Sequence, residues 1–207
     1  MQPSLLRSSA SYIVAAKRTP FGAFGGKLSA LTASQLGGHA SKAALAELPA
    51  GTRVDATIFG NVHASDNAAA YLARHVGHHA GLPVTVPALT VNRLCGSGFQ
   101  SIINAVHEIK AGDANVIVTG GTESMSQAPY TLSGVRFGGG KYGVDLKLVD
   151  SLAAALTDMV PTPTPMGEWQ RRWRRTHFCA DCVLRSALSL HSLRVSACRC
   201  FATPSQP

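Results

Sequence analysis

Between Tyr12 and Gly121 the sequence alternates short β-favouring runs with longer stretches whose apolar residues recur at helical spacing, and this alternation restricts the fold more than any other feature. "SYIVAAKRTPFG" opens with a run at Tyr12 to Val14 that Pro20 and Gly22 stop, which predicts a strand and then a loop. "LTASQLGGHASKAALAEL" predicts a helix capped at Thr32 or Ser34 and apolar as far as Leu48. "VDATIFGNV" predicts a strand ending at Gly60-Asn61, and "NAAAYLARHVGHHAGL" a helix closed by Gly81. "TVPALTVN", "GFQSIINAVHEIKAG" and "ANVIVTGG" repeat the cycle as strand, helix stopped at Gly112, and strand. Strands this apolar want cover on both faces, so the predicted class is α/β with a parallel or mixed sheet.

After Tyr130 the texture changes. "TLSGVRFGGGKYG" is glycine-rich, "VDSLAAALTDM" is a short helical piece, and "VPTPTPMG" is held extended by its prolines. Beyond Gly167 the chain is rich in Arg, Ser, Cys and Trp without a sustained period, and reads as sequence from another source joined to a globular domain. Charge follows the same division. Of the net +8, the residues up to Gly167 carry +3 and the last forty carry +5, so the basicity belongs to the tail and gives the main body little reason to bind nucleic acid. No stretch reaches the roughly 18 apolar residues of a membrane span. Five clustered cysteines do not make a disulfide scaffold, so a reducing compartment is expected. The opening "MQPSLLRSSASY" has an arginine and no acid, which suits either a mitochondrial transit segment or an ordinary N-terminus.

Chemistry concentrates at "TVNRLCGSGFQSIINAVHEIK". Phe99, Ile102, Ile103 and Val106 follow the i, i+3, i+4, i+7 spacing, so the helix is expected to bury that face and to begin near Cys95 to Gly98. Cys95 then sits between a buried strand and a helix N-terminus, where free N–H groups and the helix dipole favour a thiolate. Gly96 and Gly98 allow a sharp turn and close approach by a ligand. The logic is that of a nucleophile elbow. Position alone, however, favours a buried structural cysteine, because free Cys is among the most buried residue types.

Read together, "VNRLCGSGFQSI", "GGTESMSQAPY", "IVAAKRTPFGAFGG", "FGNV" and "YLARHVGHHAGLP" closely resemble the thiolase family, most of all its mitochondrial 3-ketoacyl-CoA members, in matching order from about Tyr12 to Gly167. The resemblance implies a thiolase-like, layered α/β/α half with a mixed, mainly parallel sheet, incomplete at its C-terminal edge. It divides the chain into a leader or targeting segment at 1–11, a thiolase N-terminal domain at 12–128, the start of the loop domain at 129–167, and a basic, disordered tail at 168–207. It implies that Cys95 is the acyl-accepting nucleophile for 3-ketoacyl-CoA, and that Met166 and Gly167 are the Met-Gly pair lining the acyl pocket. No cofactor or metal is expected; coenzyme A and acyl-CoA enter as substrates. Partners would be thiolase subunits in a homo- or hetero-oligomer, in the mitochondrial matrix, with the cytoplasm as the alternative.

The family's other half supplies an Asn-Glu-Ala-Phe segment, a Gly-His-Pro histidine and a Cys-x-Gly cysteine, and none of these strings occurs here. A catalytically silent chain is therefore expected, either an incomplete acyltransferase or a non-catalytic module that pairs with full-length subunits. The helix and strand that return beside the fourth strand in the family are also missing, so "NVIVTGG" should present an unpaired, apolar edge. Other constellations weigh less. Cys179, Cys182, Cys198 and Cys200 with His177 approach a zinc set but lack a zinc ribbon's spacing, and His75, His78 and His79 have metal-holding spacing on a helix that the resemblance explains without metal. "GGGK" is no phosphate loop because Tyr142 stands where Ser or Thr is required. "RRWRR" could touch RNA or an acidic membrane, but a short isolated cluster of this kind is expected to be simply solvated.

Overall fold

The computed structural model describes residues 10–138, 140–168 and 171. Helix α1 (Ala33–Leu45) opens with a reciprocal capping box, in which the Thr32 side chain accepts from the Gln35 N–H and the Gln35 side chain accepts from the Thr32 N–H. Strand β1 (Ala56–Gly60) is followed by a 3₁₀ turn at Ala69–Tyr71 and helix α2 (Leu72–His79). Strand β2 (Ala88–Val91), helix α3 (Ser97–Ala111) and strand β3 (Ile117–Gly121) complete the main unit, with Gly112 ending α3 at φ 90°.

The main sheet is parallel throughout, in the order β2-β1-β3, with Phe59 opposite Thr90 on one side and Gly120 on the other. The chain steps from β1 outward to β2 and then back across β1 to β3. Right-handed crossovers in opposite directions put the two connecting helices on opposite faces. The packing agrees. Phe59 joins Ala33, Leu72, Ala73 and Val76 in the core beneath α1 and α2. On the other face, a Cβ at Gly60 would lie 2.5 Å from the Ser97 carbonyl carbon at the start of α3. Every residue of β1 is buried, as a strand covered on both faces requires.

Acidic side chains close both ends of the β1–β3 pair. Asp55 accepts from the Asn115 and Val116 N–H groups at 2.8 and 3.2 Å. These bonds, with a further contribution from Arg53, hold its carboxyl below the ordinary value against the opposing effect of burial. At the far end Glu123 accepts from Asn61 Nδ2, Val62 N and His63 N at 2.9, 2.8 and 3.3 Å.

Two expectations fail. Tyr12 to Val14 forms no strand and lies 79, 78 and 70% exposed. A β-favouring run gains little from extension without a neighbour to take its N–H and C=O groups. Among the described residues the sheet ends at β3, which pairs only with β1 and so has the free edge expected of "NVIVTGG".

The second failure is the orientation of α3. Its sheet-facing residues are Ser97, Ser101 and Ala105, whereas Phe99, Ile102 and Ile103 are 78, 38 and 39% exposed. The reason lies in the sheet. Gly60 and Gly121 bring backbone so near the helix that only small side chains fit between, and Gly98 Cα lies 3.1 Å from where a Cβ of Gly121 would stand.

Beyond β3, strands β4 (Tyr130–Leu132) and β5 (Leu148–Asp150) pair antiparallel. Asp150 then caps the five-residue helix α4 (Ser151–Ala155). The chain divides into compact units between Leu156 and Thr157. In the second, β6 (Thr157–Asp158) pairs antiparallel with β7 (Thr164–Pro165). Among the described residues, no helix is long and apolar enough to cross a membrane.

Candidate active site

Cys95 lies in the turn from β2 to α3, beyond the carboxyl end of the parallel sheet. The β1 and β2 connections leave toward opposite faces here, making this the switch point at which open α/β sheets bind ligands. The sulfur-bearing residue is exposed, which removes the reading of a buried structural cysteine.

The tight point of the turn is Leu94, the one non-glycine described residue with positive φ, at 49°. Gly96, by contrast, has φ −89°, so the turn does not draw on its special freedom. Gly98 lies against the sheet at Gly121, whose own Cβ would stand 3.1 Å from Gly98 Cα. Hydrogen bonds grip the Leu94 residue from both sides. Its N–H donates to Asn92 Oδ1 at 3.0 Å, and its carbonyl accepts from Ser97 Oγ at 2.6 Å and Ser97 N at 3.0 Å. Ser97 Oγ also accepts from Arg93 N at 2.8 Å. Asn92 Nδ2 reaches Val62 O at 3.3 Å, tying the turn to the loop after β1. On α3, Ser101 Oγ lies 2.7 Å from Gly98 O and 2.9 Å from Gly120 O, pinning the first turn to β3.

Buried polar groups gather at the same end of the sheet, among them Asn61, His63, Ser65, Ser97 and Ser124. His63 is 5% exposed and its Nε2 has no hydrogen-bond partner among the described residues. Phe99, Ile102 and Ile103, with Leu94, form a bare apolar strip leading away from Cys95.

Met166 is half-buried and Gly167 exposed, both in the second compact unit. His75 stacks on Tyr71 with ring centres 6.1 Å apart, and His78 and His79 lie 6.4 Å apart. Burial first, then the neighbouring His78, His75 and His39, lowers the basicity of His79. No group of three or more His, Cys, Asp or Glu among the described residues could hold a metal ion. A cavity of about 200 Å³ lies at the opposite end of the sheet, lined by Thr57, Arg74, His75, His78, Leu82 and Val84, away from the cysteine turn. The zinc-like cysteines and "RRWRR" involve residues outside those described. Asn92, Ser97 and Glu123 were not singled out from sequence, although an Asn two residues before a turn is an Asx-turn signal.

The fold and site together define an α/β domain whose parallel sheet presents an exposed cysteine on a clamped turn at a helix N-terminus. Comparison with known proteins is specific: the family model "Thiolase, N-terminal domain" matches residues 11–177. The rat mitochondrial 3-ketoacyl-CoA thiolase is 56% identical over 158 residues, covering 75% of this chain and 39% of that protein. Its human counterpart is 57% identical over 148 residues, covering 71% and 37%. Human mitochondrial 3-ketoacyl-CoA thiolase in complex with CoA superposes with a TM-score of 0.73 at 53% identity, over 79% of this chain and 41% of that one. The Bacillus anthracis acetyl-CoA acetyltransferase gives 0.70 at 32% identity, with the same coverage. The chain belongs to the thiolase family. It spans about two fifths of the length of the relatives it matches.

Proposed function

We propose that Cys95 is the acyl-accepting nucleophile of thiolytic cleavage of a 3-ketoacyl-CoA. The thiolate adds to the C3 carbonyl and the C2–C3 bond breaks. The acyl group remains as a thioester on Cys95, and the acetyl-CoA carbanion takes up a proton. Attack by the thiolate of free CoA then carries the acyl group away as a shortened acyl-CoA and frees Cys95. The observation that carries this reading is the exposed Cys95 on a clamped turn at the carboxyl end of the sheet. Met166 and Gly167 are assigned to the acyl-pocket lining, CoA and acyl-CoA are the ligands, and the location is the mitochondrial matrix, a reading supported by relatives named as mitochondrial.

Residues 1–207 contain no Gly-His-Pro histidine and no Cys-x-Gly cysteine, so the groups that move protons in this chemistry would have to come from elsewhere. Loss of a general base costs about 10²–10⁴ in rate. These residues alone are expected to be nearly silent in turnover. The uncovered strip at Phe99, Ile102 and Ile103 favours a second reading, a non-catalytic module that pairs with full-length thiolase subunits.

Incubating residues 1–207 with acetoacetyl-CoA and a medium-chain 3-ketoacyl-CoA, with mass spectrometry of Cys95 and a thiolysis assay, separates the readings. The first expects an acyl adduct that is absent in Cys95→Ala, without sustained turnover. Folded protein that forms no adduct supports the module, and turnover abolished by Cys95→Ala would overturn the expectation of silence.

A further inference from the structure

We infer that Asn92 is a positioning residue for Cys95, acting by holding Leu94 in the left-handed conformation that aims the cysteine. The inference rests on the reading of Cys95 as the reactive group and adds a residue to which that reading gives no role.

Leu94 is a branched residue at φ 49°, a region that residues other than glycine enter reluctantly, because Cβ crowds the following carbonyl oxygen. Something must therefore hold it there. Its carbonyl is held from within α3 by Ser97, which moves with the helix. Its N–H is held by Asn92 Oδ1 at 3.0 Å, in the i to i+2 geometry of an Asx turn. Asn92 in turn is anchored outside the turn, through Nδ2 to Val62 O at 3.3 Å. The Val62 N–H is fixed by Glu123 at 2.8 Å. The relay from Glu123 through Val62 and Asn92 to Leu94 connects the Cys95 turn to the rigid end of the β1–β3 pair. Without it, Leu94 can relax to negative φ and carry Cys95 off the helix N-terminus.

The argument predicts a rescue that a packing role would not show. If Asn92 serves to hold positive φ, a residue free to adopt that conformation makes it dispensable. Glycine is such a residue. The experiment measures the second-order rate of Cys95 alkylation by iodoacetamide, a neutral probe that needs no acyl-CoA, in the full chain at fixed pH.

Asn92→Ala is expected to slow alkylation by about tenfold, the population change that follows when a left-handed residue loses its restraint. Asn92→Ser keeps a weaker turn acceptor and should stay within about threefold of the parent. In a Leu94→Gly background, Asn92→Ala should change the rate less than about twofold relative to Leu94→Gly alone.

An unchanged rate in Asn92→Ala overturns the inference. So does a slow Asn92→Ala whose defect persists in the Leu94→Gly background, because Asn92 would then act by another route. Should Asn92→Ala fail to fold, the comparison of Asn92→Ser in the two backgrounds decides the question. Its defect must shrink when Leu94 is glycine, and an equal defect in both backgrounds overturns the inference. Absence of an acyl adduct from acetoacetyl-CoA in the parent chain would sink the proposed function and leave the alkylation series readable.

Discussion

Gly60→Ala puts a methyl group where the start of α3 already is. The added Cβ would lie 2.5 Å from the Ser97 carbonyl carbon and 2.7 Å from both Gly98 N and Ser97 Cβ. Comfortable carbon contacts lie at about 3.5–4.0 Å, so the first turn of α3 would have to retreat by roughly 1 Å. Two of the three obstructing atoms are main chain, which cannot rotate away as a side-chain tip can. Overpacking of this kind costs about 1–3 kcal/mol, and rigid neighbours put this site toward the upper end. For a unit of about 150 residues each kcal/mol lowers Tm by roughly 2–4 °C, so a drop of about 5–10 °C is expected. Gly140 is the control, since a Cβ there meets nothing within 4 Å. The assay is thermal unfolding of residues 1–207 followed by circular dichroism, with the alkylation rate of Cys95 as the second readout. Equal Tm values for the Gly60→Ala and Gly140→Ala variants would refute the claim that α3 rests on the β1 backbone.

The two faces of α3 predict an inversion of the usual hydrophobic order. Ser101→Val should destabilise residues 1–207 by about 1–3 kcal/mol, because it inserts bulk into a tight contact and removes the Ser101 hydroxyl from Gly98 O and Gly120 O, whereas Phe99→Ser should cost under about 0.5 kcal/mol. Urea unfolding would show this, and a larger loss for Phe99→Ser would place the helix the other way round. Asp55 supplies a pH signature. Its folded-state value is lowered, so its stabilisation is present above the unfolded value of about 3.9 and is lost as pH falls through the folded value beneath it. The stability gap between the parent and Asp55→Asn should therefore be constant from pH 7 to about 5 and close below about pH 4, and a gap that widens on acidification would reverse the sign.

The elements themselves were legible because their signals are local. Thr32 with Gln35 three residues on, Gly112 after the last helical residue, and the apolar run of β1 each announce an element without knowledge of the rest. Two readings failed for non-local reasons. Tyr12 to Val14 has strand chemistry, but a strand exists only with a neighbour, and local sequence says nothing of the edge that would receive it. For α3, periodicity identified an apolar face correctly and assigned it to the wrong side. What turns the helix is the glycine content of strands 38 residues before and 23 residues after Gly98, at Gly60 and Gly121 by difference of residue numbers. At the candidate site, Cys95 stood out through its place between strand and helix. Its left-handed neighbour did not, because leucine carries no preference for positive φ and the bonds that hold it come from Asn92 and Ser97.

The seating of α3 on bare backbone also restricts how such a sequence can drift. At Gly60 and Gly121 the smallest residue is already in place, so every substitution adds bulk and pushes the helix the same way, outward from the sheet. Random change at an ordinary core position can enlarge or shrink a side chain, and later changes nearby can compensate. Here errors accumulate with one sign, and compensation by trimming the facing residues is limited because Gly98, Ser97 and Ser101 are already small. Descendants of this chain should therefore tolerate wide variation on the outward face of α3, while its inward face and the strand ends beneath it remain nearly fixed.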